Sequence, residues 1–198
     1  MYKNVKVILI GGSPMSGKTT LATKIASKYF YNCISTDDIG QVIQTVIDVD
    51  PMKGHDYREY YIRKSIDGLI KDITVYHERI WPSIKRLIDI HSTWSNPIII
   101  EGWALYPRLV KELGDKNIKK IWLVCDDKVL EKRLIEAKEF YIGATDKDLM
   151  ILNYLKRSIW HNHKIFKEIK EFNEDHIRIS VDLTEEELFK RAIEVLER

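Results

Sequence analysis

The sequence predicts a parallel α/β domain, and three observations point there. Short runs dominated by Ile, Val and Leu alternate with longer stretches of helical spacing. The apolar runs are near-continuous, as in strands covered by helices on both faces. The chain has 198 residues, 44% apolar and 31% charged, which suffices for one domain with its own core, and it contains no repeat, linker or low-complexity tract.

The elements follow in order. The first strand is expected over Val5–Ile10, running into glycine and then a helix over Gly17–Tyr29. Asn32–Ser35 forms a second strand and Asp38–Val46 the next helix. Tyr57–Trp94 has interrupted helical spacing, with Pro82 expected to break it, kink it or open a second helix. Pro97–Glu101 is the third strand, Pro107–Leu113 a short helix and Lys120–Cys125 the fourth strand. Helices over Lys128–Lys138 and Asp148–Phe172 precede a fifth strand, His176–Val181. The last helix, Thr184–Leu196, opens with Thr184 and Glu187 in capping-box spacing. Residues 50–95 form a longer connection than the dozen or so residues a crossover needs. That stretch is either extra cladding of the sheet or a lobe that holds a substrate.

Composition excludes several function classes. With 32 basic and 30 acidic side chains the net charge is only +2, so no field of one sign draws the chain to nucleic acid or anionic lipid. No apolar run is long enough to span a membrane. The opening segment YKNVKVILIGG lacks the apolar length and cleavage site of a secretion signal. Cys33 and Cys125 are expected to be buried free thiols of a cytoplasmic protein, with one disulfide as the alternative. Two cysteines do not make a zinc site.

Gly12-Ser13-Pro14-Met15-Ser16-Gly17-Lys18-Thr19 fits GxxxxGK[ST] at every fixed position, and it lies between a strand and a helix as that motif requires. A nest of backbone N–H groups and a helix N-terminus face phosphate oxygens, and glycines permit the close approach. Lys18 is expected to reach the β- and γ-phosphates of a nucleotide, Thr19 to bind Mg²⁺, and Thr20 to lie beside them. Gly11-Gly12 lacks the GxGxxG spacing of a dinucleotide fold. Ser35-Thr36-Asp37-Asp38 ends the second strand at the crevice that parallel strands share. Asp37 is the candidate base for an acceptor hydroxyl, with Asp38 the alternative. The competing reading is that Thr36, Asp37 or Asp38 merely caps the next helix. Glu101, at the end of Pro97-Ile-Ile-Ile-Glu101-Gly102-Trp103, reaches the same crevice, where it holds Mg²⁺ through water, orients the acceptor, or is satisfied by loop N–H groups.

These segments, GGSPMSGKTTLA, STDD and IIIEGW, resemble the P-loop small-molecule kinases related to adenylate and gluconate kinase, and most of all the 2-phosphoglycerate kinase-like group. Tyr154-Leu155-Lys156-Arg157 and Ile179-Ser180-Val181-Asp182 add to the likeness. It also extends to zeta-toxins and antibiotic phosphotransferases, which place a base where Asp37 stands. The resemblance implies a three-layer P-loop NTPase fold with a five-stranded parallel sheet, helices on both faces and an inserted helical lobe. It further implies ATP, Mg²⁺ and phosphoryl transfer to a small molecule, by a monomer or homodimer. Such kinases carry arginines on a lid, here about residues 138–148. Arg133 is the only arginine in the stretch leading to it, and its spacing suggests helix surface. Lys138 and Arg157 are the possible substitutes.

Within the lobe, Tyr57, Arg58, Arg63, Lys64 and Arg79 are candidates to hold an anionic substrate, against the plainer reading of a solvated charged face. Trp103 is expected to touch substrate, while Trp81, Trp94 and Trp160 belong to core or pocket wall. His161 and His163 read as ordinary polar helix positions. Three functions follow: a kinase of small molecules, a kinase of nucleosides or nucleotides, and a nucleotide-dependent switch with weak hydrolysis, which a shortage of lid arginines favours.

Overall fold

A computed structural model describes residues 5–114 and 117–197. Five strands, β1 (Val7–Gly12), β2 (Asn32–Ser35), β3 (Ile98–Gly102), β4 (Ile118–Cys125) and β5 (His176–Ile179), form one sheet in the order β2-β3-β1-β4-β5. Every pairing is parallel. The helices are α1 (Lys18–Tyr29), α2 (Thr36–Gln44), α3 (Tyr57–Arg63), α4 (Ile66–Thr93), α5 (Pro107–Val110), α6 (Asp127–Glu136), α7 (Lys138–Tyr141), α8 (Lys147–Phe172) and α9 (Glu185–Leu196).

The near-continuous apolar strands divide between two cores by simple alternation. Val7, Leu9, Ile98, Ile100 and Trp122 face α4 and α8, whereas Ile8, Ile10, Ile99, Ile121 and Leu123 face α1 and α9. Burying an isoleucine completely contributes about 2 kcal/mol, so both faces must be covered. A third, smaller cluster joins Tyr60, Tyr61 and Leu69 to Leu134, Met150 and Tyr154 beyond the end of the sheet.

Residues 50–95 divide between the sheet core and this third cluster. The later part of α4 is cladding: Ile80, Ile84 and Ile88 are buried on the sheet. Helix α3 and the start of α4 overhang the strand ends as a lobe.

Pro82 does not break α4, which runs unbroken for 28 residues. The proline is exposed, while the apolar stripe on the other side of the helix anchors both halves to the sheet. Cys33 also departs from expectation. Both cysteines are free, but Cys33 lies exposed on the edge strand β2, and only Cys125, on inner strand β4, is buried. Trp94 is 76% exposed at the C-cap of α4 rather than part of a core.

Candidate active site

Register brings the motifs together. Ile10 pairs with Glu101, Gly11 with Gly102, and Ser35 with Glu101, so the ends of β1, β2 and β3 form one edge. The loop leaving β1 is compact. Gly12 has φ 143°, and a Cβ there would meet the Leu123 carbonyl oxygen at 2.5 Å, so only glycine fits. Met15 adopts the left-handed conformation, φ 63°, before Gly17 begins α1. Ser13 and Ser16 are fully buried. The Ser16 hydroxyl has no partner among the described residues. Asn162 on α8 secures the loop from behind: its Oδ1 accepts from the Cys125 N–H at 3.0 Å and from the Ser13 hydroxyl at 3.4 Å.

Lys18 curls back and donates to the Ser13 carbonyl at 2.7 Å. Burial lowers its pKa, against the opposing pull of Glu101 and Asp37. An unpartnered buried hydroxyl and an ammonium held only by a loop carbonyl suit a phosphate anion. The Thr19 hydroxyl donates to Glu101 Oε1 at 2.9 Å. Glu101 is 3% exposed, and burial raises its carboxyl pKa, partly offset by Lys18 and Thr19. Thr19 and Glu101 thus offer adjacent hard oxygen donors, the donor type Mg²⁺ takes when it keeps several waters.

The capping question has a clear answer. Ser35 caps α2, its hydroxyl accepting from the Asp37 N–H at 3.1 Å, which leaves the carboxylate of Asp37 out of the cap. Instead Asp37 Oδ1 accepts from the indole N–H of Trp103 at 2.6 Å. Gly102, φ 154°, makes this possible: a Cβ there would lie 1.8 Å from the Thr36 hydroxyl. Asp38 is exposed and does not line the cavity that Asp37 faces.

That cavity, of about 430 Å³, lies between the phosphate loop and the lobe. Its lining includes Pro14, Lys18, Thr19, Asp37, Glu101, Trp103 and Arg157. Arg157 is 4% exposed, and its guanidinium carbon lies 4.4 Å from the Trp103 ring centroid, 4.8 Å from Tyr61 and 5.0 Å from Tyr154. Its Nε has no partner among the described residues. A second cavity of about 410 Å³ opens on the far side of Lys18 and Thr19, lined by Gly17, Thr20, Lys24, Arg133, Glu185 and Leu188.

Several candidates are placed elsewhere. Arg58 bonds Asp56 and the Ile142 carbonyl, so it ties α3 to the segment after α7 rather than facing the cavity. Arg63 is largely exposed, 4.0 Å from Glu59. Lys64 pairs with Asp72 at 2.9 Å. Arg79 lines a separate surface cleft. Lys138 is exposed.

Arg133 is not a surface residue of α6. It is part-buried, and its Nη1 donates to the Met15 carbonyl at 2.8 Å, bringing a guanidinium onto the phosphate loop. Two turns of α6 carry it there from the strand end beside β1, a placement that residue spacing alone does not show. His161 is likewise no ordinary polar position. It is fully buried, bonds the Trp103 carbonyl at 2.9 Å, and burial pushes its pKa down to about 3. His163 is exposed and pairs with Asp127 at 3.0 Å.

Sequence reasoning missed Tyr61, Tyr154, Gln41 and Phe140 as cavity walls, along with Asn162 and the buried His77. The signal for α8 was present. Asn153, Tyr154, Arg157, Ser158, His161 and Asn162 recur at helical spacing on the buried face, and a buried polar stripe calls for a polar task.

No protein-family model matches the chain. Among curated proteins it is 29% identical over 140 residues to a 2-phosphoglycerate kinase of Methanocaldococcus jannaschii, a match covering 67% of this chain and 45% of that protein. It is 22% identical over 205 residues to a 2-phosphoglycerate kinase of Pyrococcus horikoshii, covering 96% of this chain and 66% of that one. The chain therefore spans between 45% and 66% of the length of these relatives. Among solved structures it superposes on deoxyadenosine kinase from M. mycoides with TM-score 0.56 at 14% identity, covering 97% of this chain and 100% of that one. Shikimate kinase from Bacteroides thetaiotaomicron gives TM-score 0.55 at 18% identity, covering 97% and 98%. Phosphate-loop motif, strand order and these likenesses together give the chain the fold of the P-loop small-molecule kinases.

Proposed function

We propose that the chain is an ATP-dependent phosphotransferase that moves the γ-phosphoryl group to a hydroxyl of a small molecule. One observation carries this reading: a phosphate loop shares its crevice with a carboxylate, Asp37, that does not cap the helix and, among the described residues, forms no ion pair with a neighbouring cation. The cavities on either side of Lys18 and Thr19 suit a nucleotide beside Arg133 and an acceptor beneath the lobe.

In this reading the loop N–H groups and Lys18 hold the phosphates. Asp37 takes the proton of the acceptor hydroxyl as its oxygen attacks the γ-phosphorus, and the bond to the β–γ bridging oxygen breaks to release ADP. Thr19 and Glu101 would hold Mg²⁺, which supplies charge neutralisation between the phosphates when bound. Arg133 and Arg157 bring positive charge from the two sides, so the shortage of lid arginines that favoured a pure switch loses its force. The rest of catalysis is positioning and charge stabilisation.

The test is a coupled assay of ADP release with and without candidate acceptors, the 2-phosphoglycerate of the relatives' names among them. Lys18→Ala is expected to abolish turnover. Asp37→Asn is expected to retain ATP binding in calorimetry while losing transfer by about a hundredfold or more. Normal transfer by the Asn variant removes Asp37 as the base.

A further inference from the structure

The walls of the acceptor cavity restrict what it takes, and the restriction rests on the phosphotransferase reading above. A phosphorylated hydroxy acid such as 2-phosphoglycerate brings about three negative charges at neutral pH, from a phosphoryl group and a carboxylate. The only cations among the described lining residues are Lys18, committed to the phosphate loop, and Arg157. The nearby lobe cations are engaged elsewhere: Arg58 by Asp56 and the Ile142 carbonyl, and Lys64 by Asp72. Asp37 and Glu101 add negative charge on the same wall. With Lys18, Glu101 and Mg²⁺ serving the nucleotide, a compact trianion entering this space meets the Arg157 guanidinium and the Asp37 carboxylate, too little positive charge for three negative ones.

Aromatic rings are prominent in the remaining lining, among them Tyr57, Tyr61, Tyr76, Trp103, Phe140 and Tyr154. Several of their polar ends are engaged by the protein. Tyr57 donates to the Phe140 carbonyl, Tyr76 accepts from Gln44 Nε2 at 3.2 Å, and the Trp103 indole donates to Asp37. What these side chains offer a ligand is mainly aromatic face and edge, with the Tyr76 O–H left to donate. Gln41, on the exposed side of α2, brings to the same wall an amide that donates and accepts at once. Such an amide matches the edge of a heteroaromatic base, which carries a donor and an acceptor side by side.

We propose that the phosphoryl acceptor is a hydroxyl compound built on a planar heteroaromatic ring and carrying at most one negative charge, of which a nucleoside is the type. The ring stacks among the tyrosines, the amide of Gln41 reads its edge, and the hydroxyl reaches Asp37. Arg157, already stacked on Trp103, faces the transferred group or the single acceptor anion.

The purified chain is tested with Mg·ATP and two acceptor panels, nucleosides and deoxynucleosides in one, 2- and 3-phosphoglycerate in the other. ATP binding is followed separately by calorimetry. A nucleoside is expected to stimulate ADP release at least tenfold more efficiently than either phosphoglycerate. The surface variant Gln41→Ala is expected to raise the KM for that nucleoside about tenfold while leaving the KM for ATP unchanged. A phosphoglycerate that outperforms every ring compound overturns the proposal and leaves phosphotransfer standing. So does ATP binding with no ring acceptor either bound or phosphorylated. Absence of ATP binding itself overturns the phosphotransferase reading and this proposal together. An unchanged nucleoside KM in the Gln41 variant removes the edge-reading role.

Discussion

Trp103 shows how much at this site depends on one side chain. Its indole N–H orients Asp37, its ring carries the Arg157 guanidinium, and its carbonyl accepts a hydrogen bond from the His161 ring. Trp103→Phe keeps an aromatic ring in place but removes the N–H. The Asp37 carboxylate then loses its only described side-chain partner. Turnover is expected to fall about tenfold, in line with the loss of one orienting hydrogen bond to a charged group. Equal loss in ATP affinity would show that the change disturbs the phosphate loop rather than the base, so kcat and the KM for ATP are measured together. The position was singled out because it follows Glu101, and that adjacency was legible. That the indole reaches Asp37 at the start of α2 was not, because it depends on the left-handed-region turn at Gly102 and on Thr36 filling the space beside it.

Among elements, α4 is the instructive one. An internal proline forfeits one backbone hydrogen bond and crowds the preceding turn, typically by about 3 kcal/mol. The helix nonetheless continues, because Ile80, Ile84 and Ile88 are buried against the sheet and secure both halves. Burial thus outweighs local propensity. Pro82→Ala is expected to stabilise the protein by about 1–3 kcal/mol, read as a higher urea midpoint with unchanged m-value. A lower midpoint would mean that the proline shapes a bend on which packing depends. A second device joins elements: Arg58 to the Ile142 carbonyl, Tyr57 to the Phe140 carbonyl and Glu59 to Thr145 hold α3 against the segment around α7. Arg58, singled out as an anion binder, instead closes the cavity by tying down one of its walls.

For the molecule as a whole, two buried imidazoles are expected to lower stability in acid. His77 and His161 are both fully buried, between α4 and α8. Desolvation, then the neighbouring His161, Arg157 and Arg108, lower the pKa of His77 well below its usual value. Desolvation, then Lys18, push that of His161 down to about 3. A depressed folded-state pKa means that the unfolded chain binds the proton first. Stability is therefore fully present above the unfolded value, near 6.5, and is lost as pH falls toward the folded value, by about 1.4 kcal/mol per pH unit for each imidazole. Glu101 and Glu168, whose carboxyls burial raises, act in the opposite sense at acid pH, so the imidazoles are isolated by difference. His77→Phe is expected to flatten the loss of urea stability between pH 6.5 and 4.5 by about 1 kcal/mol per unit. An unchanged slope would show that His77 is charged or solvated in the folded protein.

What the sequence determined by itself is the part of the protein written locally. The phosphate loop needs glycines, a lysine and a threonine at fixed spacing, and parallel strands covered on both faces need unbroken Ile and Val runs, so both were readable residue by residue. The meeting of STDD and IIIEGW at one crevice also followed, since parallel strands end on the same side. The tertiary structure alone decided which charges are free. Arg133 reaches the phosphate loop, Arg58 and Lys64 are consumed by neighbours, and Arg157 sits among rings with its Nε unpartnered among the described residues. Whether a charged side chain is spent or available depends on partners far away in sequence, and nothing in local spacing records them.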